Sequence, residues 1–159
     1  MATQNLSVGT GKRIYSGPFP AASMELFNTV DFSKFNGGSA DVIQMIEVPK
    51  NTLVLSVSHK VITAEGGTTT GTIGDGSDAN GWLAAVNNNA AADTWLHSNG
   101  KITLSEGAPN TIVYNDAYFA LGGKVYTAAD TIDMTLSANA VATAKIQLIA
   151  LCVDLNLLV

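Results

Sequence analysis

The clearest hydrophobic–polar alternation in the chain is Thr52–Thr63, T-L-V-L-S-V-S-H-K-V-I-T. A period of two sends successive side chains to opposite faces of a strand. Strict alternation puts Leu53, Leu55, Val57 and His59 on one face, and Val54, Ser56, Ser58 and Lys60 on the other. Residues 131–136 (T-I-D-M-T-L) also alternate, and residues 145–153 form the nearly continuous apolar run of a central core strand. Residues 41–48 read as another strand, closed by Pro49, Lys50 and Asn51, where proline fixes φ and asparagine favours a turn. Weaker β-like segments at 68–73, 101–104, 111–114, 117–121 and Lys124–Tyr126 are separated by glycine or proline. Residues 24–35 carry aromatics at a spacing compatible with helix or strand.

Short strands at turn-delimited intervals, with no alternation of strand and helix, predict an all-β fold, an antiparallel β-sandwich of jelly-roll type. The 159 residues suffice for one domain with its own core. Residues 1–23, punctuated by Gly9, Gly11, Gly17, Pro18 and Pro20, are expected as an extended N-terminal arm, with 24–159 as the sandwich. Ile14, Tyr15 and Phe19 give that arm apolar groups that need a surface to lie on. One long polar insertion is expected around residues 82–95 (W-L-A-A-V-N-N-N-A-A-A-D-T-W), irregular with at most a short helical turn, because the asparagine triplet weakens a helix.

Composition narrows the function. Only 13% of residues are charged, so the exterior relies on Thr, Ser, Asn and Gly, as suits a sandwich that buries surface against partners. A net charge of −5 with 8 scattered Lys and Arg argues against nucleic acid, since phosphate-backbone affinity needs clustered cations. No segment approaches the roughly 20 apolar residues of a membrane span. The N-terminus lacks a signal-peptide core, so synthesis in the cytoplasm is expected. The single cysteine, Cys152, lies in an apolar run and reads as a small buried hydrophobe.

Candidate chemistry is sparse, and no cofactor is expected. Asp75 and Asp78 in the G-D-G-S-D loop are the metal candidates, as oxygen ligands for Ca²⁺, but the loop lacks the closing bidentate glutamate. The alternative is a turn whose carboxylates accept backbone N–H groups. His59 and His97 are too few for a zinc site, and no serine sits in a nucleophile elbow, so an enzyme is not expected. Glu47, Glu65 and Glu106 offer no more than a chance glycosidase pair. Trp82 and Trp95 suit sugar stacking, anchoring of the insertion or partner contact, and with Arg13, Tyr15 and Phe19 they are the partner-binding candidates.

The run V-P-K-N-T-L-V-L-S-V from Val48, T-I-G-D-G-S-D from Thr72, G-W-L from Gly81 and Y-T-A-A-D-T-I-D-M-T-L-S from Tyr126 together resemble small β-sandwich structural proteins of tailed bacteriophages. The likeness spans residues 41–155 and omits the arm and the insertion around Asn88. It implies a virion component synthesised in the host cytoplasm, notably a capsid decoration or cement protein on the capsid surface. Its implied partner is the major capsid protein. A homo-oligomer is implied too, a trimer before a dimer. A tail or baseplate component, or a carbohydrate-binding sandwich using Trp82 or Trp95, are the alternatives.

Overall fold

A computed structural model describes residues 2–14, 23–98, 101–102, 112–113, 118, 121–137 and 139–157. The strands are β1 (Thr3–Asn5), β2 (Gly11–Ile14), β3 (Ser23–Asp31), β4 (Val42–Val48), β5 (Thr52–Thr63), β6 (Thr70–Gly74) and β7 (Leu83–Asn87). They continue with β8 (Trp95–His97), β9 (Lys101–Ile102), β10 (Ile112–Val113), β11 (Lys124–Tyr126), β12 (Asp130–Leu136) and β13 (Lys145–Asp154). One sheet has the order β1-β4-β12-β6-β7, the other β11-β5-β13-β3-β2 with β8 also on β5, and β9 and β10 pair as a separate ribbon. The chain is an all-β sandwich, as its alternation predicts.

The apolar strand β13 lies centrally, antiparallel to β5 on one side and β3 on the other. It turns Ile146, Leu148, Ala150 and Cys152 inward, all with no exposed surface. They meet Ile43, Met45, Ile46 and Val48 of β4 and Ile132, Met134 and Leu136 of β12 in one core. Burial of these side chains, each worth roughly 1.5–3 kcal/mol, dominates the stability of the domain. Burial pushes the Cys152 thiol up to about 12, as expected of a core cysteine.

β5 has the predicted bounds but not the predicted faces. Its register against β13 shifts between Leu151 and Cys152, which oppose Ser56 and Val54 and leave Leu55 as an extra residue. This β-bulge turns both Val54 and Val57 inward and leaves Leu53 outside. A second register shift lies between Ile132 and Asp133 on β12, so that Met45 and Ile46 of β4 are both buried.

The N-terminal segment is extended, but residues 2–14 are built into the sandwich. β1 runs parallel to β4, and β2 pairs antiparallel with β3, so the segment crosses from one sheet to the other. The buried Asn28 amide ties that crossing, donating to the Leu6 carbonyl at 2.9 Å and the Met45 carbonyl at 2.7 Å. The expected boundary after residue 23 falls within β3. The insertion at 82–95 stays irregular over residues 88–94, as expected, but it opens with β7 on β6 and closes into β8 on β5. The asparagine triplet forms the turn, with Asn88 fully buried and its N–H on the Thr69 carbonyl at 3.0 Å. Residues 24–35 resolve into β3 and a 3-10 turn at Phe32–Lys34. Of residues 117–121, expected as β-like, Tyr118 lies in a helical turn and Leu121 in a tight turn.

Candidate functional site

The densest polar cluster lies where the loop after β6 meets β11. At Gly74 the chain doubles back so tightly that a Cβ would collide with the Asp78 carbonyl, and only glycine fits. The turn closes with the Asp75 N–H on the Asp78 carbonyl at 2.9 Å. It aims the buried Asp75 carboxylate inward, where Oδ2 accepts from Lys124 Nζ at 2.5 Å and Tyr126 Oη at 2.8 Å. Oδ1 accepts from the Ser77 N–H at 2.9 Å, the Asp78 N–H at 3.2 Å and Tyr118 Oη at 3.0 Å. Trp82 Nε1 donates to Tyr126 Oη at 3.1 Å, and its ring meets Tyr118 edge-on at 5.2 Å. Lys124 also stands over the Tyr118 and Tyr126 rings, at 4.4 and 5.0 Å.

Burial alone would raise the Asp75 carboxyl, but the Lys124, Tyr126 and Ser77 hydrogen bonds outweigh it and hold the group below its ordinary value. Lys124 loses to burial and gains more from Asp75 and Tyr118, so it stays charged beyond its usual range. Five protein donors occupy the Asp75 oxygens, the arrangement of a structural ion pair. Asp78 turns to its own loop, accepting from the Asn80 N–H at 3.2 Å. Among the described residues no three His, Cys, Asp or Glu side chains gather as a metal site.

The partner candidates separate. Trp82 is fully buried, which fits the anchoring alternative and not its place among the partner-binding candidates: its indole packs in the core against Tyr118 and bonds Tyr126. Trp95 is 42% exposed, but His97 stacks on its ring at 5.8 Å and Lys60 stands over it at 5.0 Å while pairing with Asp93 at 2.8 Å. Arg13 is exposed on β2, bonded to Glu25 at 3.3 Å and over the Phe27 ring at 5.3 Å. Tyr15, Phe19 and Glu106 lie outside the described residues.

Several other titratable groups among the described residues have structural partners. His59 is buried against Asn88 Oδ1 at 3.1 Å, and desolvation lowers it to about 4. Ser58 Oγ and His97 Nδ1 lie 2.6 Å apart because their strands pair them directly, on open sheet surface. The nearby Asp93 is spent on Lys60. Glu65 clamps a loop, accepting the N–H groups of Ala142, Thr143 and Ala144 at 2.8, 2.8 and 2.7 Å. The outer side of the five-stranded sheet is acidic: Glu47 and Asp130 flank a groove of about 330 Å³ that Asn5, Gln44 and Thr131 also line. Burial, and then the charge of Asp130, raises the neighbouring Asp133 to about 6. Among the described residues no helix is long and apolar enough to cross a membrane.

No family model and no curated protein matches the sequence. Solved structures do match the fold. A chain in the acid-stable capsid structure of Helicobacter pylori bacteriophage KHP30 superposes with a TM-score of 0.54 at 14% identity, covering 92% of this chain and 94% of that one. A chain of the cyanophage Pam1 capsid asymmetric unit gives 0.55 at 15% identity, over 89% and 91%. A chain of the Ralstonia phage GP4 capsid gives 0.54 at 15% identity, over 89% and 90%. This small β-sandwich is thus a fold found in phage capsids.

Proposed function

We propose that this chain is a structural protein of a tailed-phage virion, a capsid decoration or cement protein that seats on the outer surface of the major capsid lattice. The observation that carries the reading is the end-to-end likeness to chains of three phage capsids, which covers almost the whole domain in each. The sandwich supports it as well. Its conspicuous polar clusters, Asp75–Lys124 and Glu65, are spent on holding loops, as suits a protein whose work is mechanical. A protein that binds only the assembled shell stabilises it by linkage, about 2.7 kcal/mol per site at a hundredfold excess over Kd. Trp82 lies in the core and the half-open Trp95 ring is already engaged by His97 and Lys60, which weighs against the carbohydrate-binding alternative among the described residues.

The test is cosedimentation with expanded and unexpanded capsids assembled without the protein. Saturable binding to expanded shells is expected. Absence of binding to either form moves the assignment to the tail or baseplate.

A further inference from the structure

The outer face of the six-stranded sheet carries a half-buried apolar field that opens to solvent at Leu151 and Val125. On β13, Ile149, Leu151 and Val153 point away from the core, opposite the inward Leu148, Ala150 and Cys152. Cross-strand pairing extends the field at its two ends, with Ile149 against Phe27, Val153 against Leu53 and Leu53 against Val125, while Leu151 between them stands beside Glu25 and Ser56. Leu151 at its centre is 42% exposed and Val125 at its margin 48%. Adjacent apolar residues left this open on one sheet face mark a contact surface.

Among the described residues, charges around this field have opposite-sign neighbours within the chain. Arg13 pairs with Glu25, Lys60 with Asp93, and Lys145 stands opposite Asp31 in the β13–β3 register. Acid of this chain of net charge −5 shows instead on the other sheet, at Glu47 and Asp130. Because the described charges of the six-stranded face have opposite-sign neighbours in the same chain, an identical face can meet it without burying a lone charge. A sheet also fits a copy of itself, since two sheets of equal twist pack aligned at about −30°. Five strands of three to twelve residues give this face roughly 600 Å², about three quarters of the roughly 800 Å² each partner contributes to a standard interface.

We infer that a second copy of this chain covers the outer face of the six-stranded sheet, two molecules packing face to face around Leu151, with their acidic sheets turned outward. This dimer differs from the trimer that the phage resemblance favours, and it stands independently of the capsid assignment because its test uses the protein alone.

That test is sedimentation velocity of the full chain across the micromolar range, with Leu151→Lys, Val125→Lys and, on the opposite sheet, Ala85→Lys; circular dichroism verifies the fold of each. The wild type and Ala85→Lys are expected at twice the 16.5 kDa chain mass. Leu151→Lys, which replaces the central apolar side chain by a cation beside Glu25, is expected to raise the dissociation constant on the order of 100-fold, with Val125→Lys weaker in the same direction. A monomeric wild type, a trimer, or a dimer that both Leu151→Lys and Val125→Lys leave intact overturns the inference.

Discussion

Replacing Asp75 with Asn tests whether the Asp75 cluster holds the loop after β6 against β11. The substitution preserves shape and an oxygen toward the Ser77 and Asp78 N–H groups. It places an NH₂ where Oδ2 accepts from Lys124 and Tyr126, so donor faces donor, and it leaves the ammonium without its counter-charge. Removing one partner of a fully buried ion pair costs about 3–5 kcal/mol, and Lys124, whose side chain is 20% exposed, recovers part of that by reaching water. The expected loss is therefore about 2–4 kcal/mol, or a fall in Tm of about 4–16 °C. Lys124→Met should cost less, because Asp75 keeps four donors, and the double variant should be less destabilised than the sum of the two. The sign of the pH dependence follows from the lowered Asp75 pKa. Its contribution is fully present above the unfolded value near about 3.9 and is lost as pH falls through the folded value, so the gap between wild type and Asp75→Asn should be level near neutrality and close in acid. Thermal melts from pH 3 to 8 read both effects. An Asp75→Asn protein that melts with the wild type at neutral pH would refute the reasoning.

Asp133 should behave oppositely. Its folded pKa of about 6 exceeds the unfolded value, so ionisation penalises the fold: the penalty is absent in acid, grows between the two values and is complete above about 6. After discounting for solvent screening, Asp133→Asn should stabilise by about 1 kcal/mol at pH 7.5, a gain that vanishes by pH 4 in paired melts. Glu65→Gln keeps one of the two carboxylate oxygens that hold Ala142, Thr143 and Ala144, so hydrogen exchange at those amides should quicken and Tm should fall by a few degrees, about 2–5 °C. Deleting residues 1–14 removes β1, β2 and the Leu6 carbonyl beneath Asn28, and should lower Tm by more than about 10 °C; an unchanged melt would show that the segment is a separable arm.

Strands that carry their own pattern were legible. β5 and β11 have the bounds that alternation and flanking turns indicate, and β12 and β13 differ by one residue at one end. What alternation misses is the bulge at Leu55, because partner register decides where an extra residue goes, and a single slip reverses the faces of half a strand. β1, β2, β7 and β8 are short, and tertiary partners hold them. Asn88 reads as a helix breaker in sequence and becomes a buried link to His59 only when β5 arrives beside it. Asp75 stood out through its glycine-rich loop, yet Tyr118, Lys124 and Tyr126, which define its role, lie 43, 49 and 51 residues away. Trp82 and Trp95 look alike in sequence. Trp82 sits between Gly81 and the buried Leu83, whereas Trp95 follows Asp93 and Thr94 on an exposed strand, and those neighbours are the signal that separates them.

The most direct test of the capsid assignment is shell protection. Purified protein is titrated into DNA-filled heads assembled without it, and genome release is followed on heating and after osmotic shock. The account predicts that the release temperature rises and then saturates as the lattice sites fill. Heads that release DNA at an unchanged temperature in a large excess of folded protein would contradict it.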